Sequence, residues 1–233
     1  MTPLPRVVTP HGALWRIGRV PQPWAWADWD YAGNQRWDDA DFSFRTVYAA
    51  DSRYTCFVEV FGCFRPDPSV VAELQKIRVN SADTAEFPSL PPGEVPQSWV
   101  NNRRVSSARV AGLYCDVTAA DTIAALRPHF LALIVSLRVH DFDAAAIKSA
   151  RPRELTQRTA SYLYQRPAEG TQLFDGVRFA SRFGDDLLVW AIFERSGDNP
   201  VSCRLTIVSN RAISRSDPDL RRAFLLHGLR WAP

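Results

Sequence analysis

The sequence predicts an α+β fold, with one sheet and short helices packed around it. Segments with strand character are spread along all 233 residues rather than gathered at one end. Short stretches with helical spacing lie between them. The connections are too irregular for a doubly wound parallel sheet, and no internal repeat is present.

Taken in order, residues 1–11 form a Pro-rich arm, and residues 12–20 (GALWRIGRV) read as a strand. Turn formers and aromatics without periodicity fill the stretch to about residue 41, an ordered loop. Residues 45–50 (RTVYAA) read as a short strand. A helix follows, with Asp51 or Ser52 as N-cap and Cys56, Phe57, Val60, Phe61 and Phe64 at helical spacing, closed by Pro66. A second short helix is expected over residues 70–75. Residues 82–97 carry four Pro and one Gly and read as a loop or insertion.

Residues 109–117 (RVAGLYCDV) read as one strand, and residues 121–128 as a short capped helix. Residues 130–139 form a buried segment whose type periodicity leaves open. Residues 153–164 read as an amphipathic helix with Leu155, Ala160 and Leu163 inward. Residues 175–182 (DGVRFASR) open with a turn signal. Residues 187–193 and 201–208 read as strands paired through SGDNP. Asp217-Pro218 is an N-cap and first-turn pair for a last helix through His227.

Apolar residues make up 46% and charged residues 23%, a globular balance that argues against disorder of the whole chain. A net charge of +3, from 28 basic and 25 acidic residues, is no footprint for direct nucleic-acid binding. The eight Trp include a cluster at Trp15, Trp24, Trp26 and Trp29, which reads as core or an apolar wall. Cys56, Cys63, Cys115 and Cys203 show no CxxC spacing and the four His are scattered, so no metal site is expected. The N-terminus has no apolar signal core, and the longest apolar run, residues 130–135, is too short to span a membrane. The expectation is a cytoplasmic protein with reduced thiols and no membrane contact.

Four residues attract attention as chemistry. Glu59 is the one charge in the run CFVEVFGCF. Either it sits on a wet helix face, or it lines a pocket with a cationic or hydrogen-bonding partner. Tyr48 lies eleven residues earlier, able to open on the same cleft or to be a core Tyr with a satisfied hydroxyl. Arg36, beside Trp37 in GNQRWDD, could hold phosphate or could pair with Asp38, Asp39 or Asp41. Ser181 ends DGVRFAS without a GxSxG elbow, and neither GxGxxG nor a P-loop occurs. Serine hydrolases, Rossmann dehydrogenases and P-loop enzymes are therefore disfavoured.

The order of these motifs resembles the RES-domain family. The carrying segments are GNQRWDD, then RTVYAADSRYTCFVEVFGCFRPD, then FDGVRFASR, with GEVPQSWVNNRRVSSARV and LTQRTASYLY similar to the family's middle region. The resemblance spans roughly residues 12–208. It divides the chain into the arm, a catalytic region over 12–215 and a C-terminal helix and tail over 216–233. Arg36, Tyr48, Glu59 and Ser181 match the family's Arg, Tyr, Glu and Ser. Trp37 matches an aromatic position, and Arg16 resembles an early Arg. Gln35 stands where the family has a second Gly and Asp38 where it has Asn, which places extra negative charge near a phosphate position.

What the resemblance implies is an ADP-ribosyltransferase-like fold, a split antiparallel sheet with short helices around a cleft for NAD⁺. The implied activity is cleavage of the nicotinamide–ribose bond by water or phosphate. Transfer of ADP-ribose to a macromolecule and a non-catalytic nucleotide-binding or partner-binding member are the alternatives. NAD⁺ enters as substrate, without metal. Arg36 would face the pyrophosphate, with Arg16 also contacting the dinucleotide. Tyr48 and Trp37 would flank a ring, Glu59 would bind the ribose, and Ser181 would fix the nicotinamide amide or an acceptor. Family members are toxins commonly silenced by an antitoxin with a helical DNA-binding domain, so such a partner is expected, and self-association is left open.

Overall fold

The computed structural model describes residues 4–74, 76, 90–149 and 151–233. Its centre is an eight-stranded sheet in the order β1-β6-β9-β10-β3-β2-β5-β11. The strands are β1 (Val7–Val8), β2 (Ala13–Arg19), β3 (Thr46–Ala50), β5 (Arg103–Val110), β6 (Tyr114–Asp116), β9 (Gly176–Ser181), β10 (Gly184–Phe193) and β11 (Leu205–Ala212). Within this sheet, among the described residues, only the β6–β9 pair is parallel. The α+β class and the antiparallel-dominated sheet are those expected. Two small sheets stand apart: β4 (Glu94–Val95) with β12 (Arg230–Trp231), and β7 (Pro167–Glu169) with β8 (Gln172–Leu173).

The sheet is split. Seven register pairs join β2 to β5, but Trp15↔Ala50 alone joins β2 to β3. One half is therefore β1-β6-β9-β10-β3 and the other β2-β5-β11. The first half is covered by α3 (Ala120–Ser136) and α5 (Arg153–Tyr164), whose Leu126, Phe130, Leu155 and Leu163 pack on Val177, Phe179 and Phe193. The second half is covered by α1 (Arg53–Phe61) and α6 (Pro218–His227). A third core closes the other side with Leu14, Val47, Ala49 and Trp190, plugged by Trp24 and Trp26 from the loop after β2. The Trp cluster is thus largely core: the Trp24 indole N–H donates to Ser106 Oγ at 2.9 Å and that of Trp26 to the Asn199 carbonyl at 3.0 Å.

Local chemistry explains the helix ends. Ser52 Oγ accepts the Thr55 N–H at 3.0 Å and starts α1. A 3₁₀ turn over Gly62–Phe64 continues it toward Pro66. Asp217 caps α6 with Pro218 in its first turn, and Gly228 ends it at φ 66°. Helix α5 and its three inward residues fall where the periodicity placed them. Helix α2 covers Pro68–Leu74; Gln75 and residues 82–89 of the Pro-rich stretch lie outside the described residues.

Several expectations are corrected. Residues 109–117 are not one strand. Gly112, at φ +121°, turns the chain out of β5 and into β6 across the split, and a Cβ there would lie 2.4 Å from an Asp175 carboxylate oxygen. Strands β10 and β11 form no hairpin. Asp198 folds residues 194–204 by accepting the Arg195 and Cys203 N–H groups, each at 2.9 Å, and β11 pairs with β5 in the other half.

Residues 120–136 are one helix running through Pro128, and its second part is not wholly buried, since Val135 is 78% exposed. By length and composition this helix, mean hydropathy 1.3 over residues 120–137, is long and apolar enough to cross a membrane, unlike the six-residue run read from sequence. In the structure its Leu126, Phe130 and Ile134 belong to the core. The arm supplies a strand, β1, on the sheet edge. The C-terminal segment is no appendage: Leu220, Ala223 and Phe224 share a core with Phe57, Val58 and Phe61 of α1.

Phe61 is the hub of that core, with ring centroids 4.5 Å from Trp99 and 4.8 Å from Phe224. Phe61→Ala should lower unfolding free energy by about 3–5 kcal/mol in urea titrations, the cost of an aromatic-sized void.

Candidate functional site

The end of β3, the start of α1 and the loop over residues 33–39 form one neighbourhood. Tyr48 organises it. Its hydroxyl accepts the Trp37 N–H at 2.9 Å and donates to Asp38 Oδ1 at 2.9 Å. Asp38 also accepts the Gln35 N–H at 2.9 Å, and Gln157 Nε2 donates to the Gly33 and Gln35 carbonyls at 2.8 and 3.0 Å. Gly33 at φ +75° makes the turn. The loop is therefore fixed from both sides before any ligand arrives.

Burial raises the Tyr48 phenol well above its ordinary value, and the Asp38 charge raises it further. It is a neutral phenol at physiological pH. Burial also raises the Asp38 carboxyl, against the lowering effect of its hydrogen bonds.

Arg36 pairs with none of the acids that compete for it in sequence. Asp41 is taken by Arg158, Asp39 by the Ser43 N–H and the Ser161 hydroxyl, and Asp38 by Tyr48. Arg36 instead donates one Nη to the Ile147 carbonyl at the end of α4 (Ala144–Lys148) and lies 5.2 Å from the Phe179 ring centroid. Its Nε is buried without a partner. Burial lowers the guanidinium pKa, Glu59 and Tyr48 counter that shift, and Arg182 adds to it.

Glu59 lies on α1 and is half-buried, with Oε1 buried and unpartnered. It is therefore not a plain solvent-facing carboxylate. Its charge opposes the lowering of the Arg36 and His227 pKa values by burial and adds to the raised value of Cys56.

Arg16 bridges the split. Its Nε donates to the Pro23 carbonyl at 2.6 Å and Nη1 to the Tyr48 carbonyl at 2.7 Å. Burial lowers it to about 10, so it remains charged. It stands between two adjoining cavities. One, of about 190 Å³, is lined by Tyr48, Asp38, Gln35, Thr46 and Arg45; the other, of about 680 Å³, by Arg19, Arg103, Trp26, Asp28 and Gln22. Both include Tyr31.

Ser181 is 1% exposed at the end of β9, and its Oγ accepts the Phe183 N–H at 3.0 Å. It makes no hydrogen bond to Arg36 or Glu59 and meets α1 through Phe183, whose ring lies against Gly62. Trp37 is fully buried, 5.5 Å from Phe179 between ring centroids. This corrects its reading as a wall for a ligand ring: it has no free face to offer.

Arg19, Tyr31, Arg103, Arg182, Phe183 and His227 were not singled out from sequence. Arg182 beside Ser181 was the one local signal. Arg19, Tyr31 and Arg103 line the larger cavity, and Phe183 and His227 reach α1 from far along the chain. Among the described residues no group of three or more His, Cys, Asp or Glu could hold a metal.

Arg36 and Glu59 are both half-buried, each with one buried polar atom that has no protein partner, and they stand near the neutral Tyr48 phenol. The chain matches the RES domain family over residues 13–210 and belongs to that family. Among solved structures it is similar to a chain of the M. tuberculosis MbcT–MbcA toxin–antitoxin complex, with 13% identity and a TM-score of 0.45, covering 96% of this chain and 91% of that one. A search of curated proteins found no match.

Tyr48→Phe should cost about 1–3 kcal/mol, because it leaves the Asp38 carboxylate and the Trp37 N–H without their partner. The sign with pH follows from Asp38. A carboxyl raised by folding weakens the fold as pH climbs from its ordinary value through its raised one, and losing the Tyr48 bond raises it further. Thermal unfolding should therefore show a larger cost at neutral pH than at about pH 3.

Proposed function

We propose that this RES-domain protein is an NAD⁺-consuming enzyme of the toxin type, cleaving the nicotinamide–ribose bond with water or phosphate as acceptor. The observation that carries the proposal is the pair of buried unpartnered atoms, Arg36 Nε and Glu59 Oε1, on side chains of opposite charge in a chain of this family. A pyrophosphate answers the guanidinium, and ribose hydroxyls answer the carboxylate.

The residues divide the work. Arg36 binds the pyrophosphate, and Arg16 adds charge from the neighbouring cavity, which it lines with Tyr48 and Gln35 but not with Arg36 or Glu59. Tyr48 stays protonated and keeps the loop that carries Arg36 in place. Glu59 faces the ribose. The C1′–N bond breaks and its electron pair leaves with the nicotinamide nitrogen, so positive charge spreads over C1′ and the ring oxygen. A nearby carboxylate stabilises that charge. Water then bonds C1′ and releases one proton to solvent, or an unprotonated phosphate oxygen bonds C1′ directly. Ser181 is assigned the nicotinamide amide or the acceptor, a contact that requires its 1% exposed side chain to be uncovered on binding. An antitoxin with a helical DNA-binding domain is the proposed partner, occupying the same site, in a cytoplasmic setting.

Free nicotinamide should accumulate when the protein is mixed with NAD⁺. Glu59→Gln should cut its rate on the order of 100-fold or more, because the charge facing the developing cation is gone. Normal turnover by that variant would refute the role of Glu59. Arg36→Lys should raise KM by about tenfold or more, through loss of the forked donor.

A further inference from the structure

Three chain segments remote in sequence meet behind Glu59. The first is α1, whose Val58 carbonyl accepts the Gly62 N–H that caps the helix. The second is α6, which ends at His227, 4% exposed, and lies outside the residues matched to the family. The His227 ring Nε2 is 2.8 Å from that same Val58 carbonyl. A carbonyl only accepts, so Nε2 carries the hydrogen and Nδ1 is the bare nitrogen. Nδ1 is buried without a partner.

The third segment is the β9–β10 turn. The Phe183 ring stands 4.7 Å from the His227 ring at 74°, edge to face. It also fills the space over Gly62, where a Cβ would lie 2.4 Å from the ring. The Phe183 backbone N–H is the donor to Ser181 Oγ. His227 and Phe183 therefore touch α1 on either side of Glu59, at Val58 and at Gly62, and Phe183 also holds Ser181.

We propose that His227 is a positioning residue for Glu59: its Nε2–H bond to the Val58 carbonyl fixes the peptide that leads into Glu59, and its contact with Phe183 ties that peptide to Ser181. The proposal rests on the role given to Glu59 above. The Val58 carbonyl belongs to the peptide unit whose far end is the Glu59 nitrogen, so a second donor on that oxygen sets the plane from which Glu59 projects. A positioning error of even about 1 Å can lower rate a hundredfold without touching the reacting atoms.

The charges around the ring are consistent with a neutral donor. Burial pushes His227 below its ordinary value, Arg65 and Arg182 push the same way, and Glu59 opposes them. The ring is thus uncharged at neutral pH.

The test compares His227→Gln, whose amide nitrogen can take the place of Nε2, with His227→Leu and His227→Asn, which cannot reach the carbonyl. With folding confirmed by thermal unfolding, the Leu and Asn variants should lose about 10- to 100-fold in kcat for nicotinamide release with KM nearly unchanged, and Gln should recover most of it. A second readout needs no turnover: ¹³C NMR titration of the Glu59 carboxyl should shift in the Leu and Asn variants and return toward wild type in Gln.

Wild-type kcat in a folded Leu or Asn variant overturns the proposal. So does a loss that Gln fails to restore, or a Glu59 titration indifferent to residue 227. If wild-type protein releases no nicotinamide, the proposed reaction falls, and the Glu59 titration alone decides the positioning role.

Discussion

Beyond the single Trp15–Ala50 pair, β2 and β3 part, and the backbone groups that a continuous ladder would have satisfied need other partners. Arg16 supplies one, bonding the Tyr48 carbonyl across the gap, and the Cys56 thiol supplies another by donating to the Trp15 carbonyl at 2.8 Å. A guanidinium buried this way pays a desolvation penalty, visible in its lowered pKa of about 10. The return is an opened sheet that does not zip shut. The cavities beside Arg16, the outward reach of Tyr48 and the entry of α1 all follow from that parting.

The loop over residues 33–39 is the second consequence. In sequence, Asp38 looks like an unwelcome charge beside a phosphate-binding Arg. In the fold it is 4% exposed, its carboxylate bonded to the Tyr48 hydroxyl and the Gln35 N–H, so it holds the loop together while lining one wall of the smaller cavity. Asp39 does the same work one residue on, bonding the Ser43 N–H and the Ser161 hydroxyl. Arg36, between these acids and the helices, is left to Ile147 and Phe179.

What could be read from sequence was whatever local periodicity or a cap decides. Helix α5 shows its stripe in Leu155, Ala160 and Leu163, and α6 announces itself with Asp217-Pro218. What could not be read depended on partners far along the chain. Nothing within RVAGLYCDV says that Gly112 must turn, because the reason is Asp175. Pro128 looked like a helix end, yet the helix runs through it, carried by the buried Leu126, Phe130 and Ile134 around it. The site divides the same way. Glu59 stood out as a charge in an apolar run, whereas His227 looks like any residue at a helix end. Trp37 misled because an aromatic beside an Arg reads as a stacking surface, and only packing against Phe179 shows it spent on the core.

Arg36 and Glu59 feel each other's charge yet make no ion pair, and each has a buried atom that no protein group partners. If their purpose were stability, direct pairing would be the cheaper arrangement, since an unmet buried polar atom costs about 1–3 kcal/mol. The scaffold prevents it: Ile147 and Phe179 hold the guanidinium, and α1, clamped at Val58 and Gly62, holds the carboxylate. Two opposite charges kept apart at the expense of stability form a preorganised field. On the proposed function, a ligand that brings an anion to one and hydroxyl donors to the other would relieve both penalties at once, and positive charge arising near the carboxylate would be met without rearrangement. In the proposed reaction the stability withheld from the fold goes to binding and, through Glu59, to the transition state.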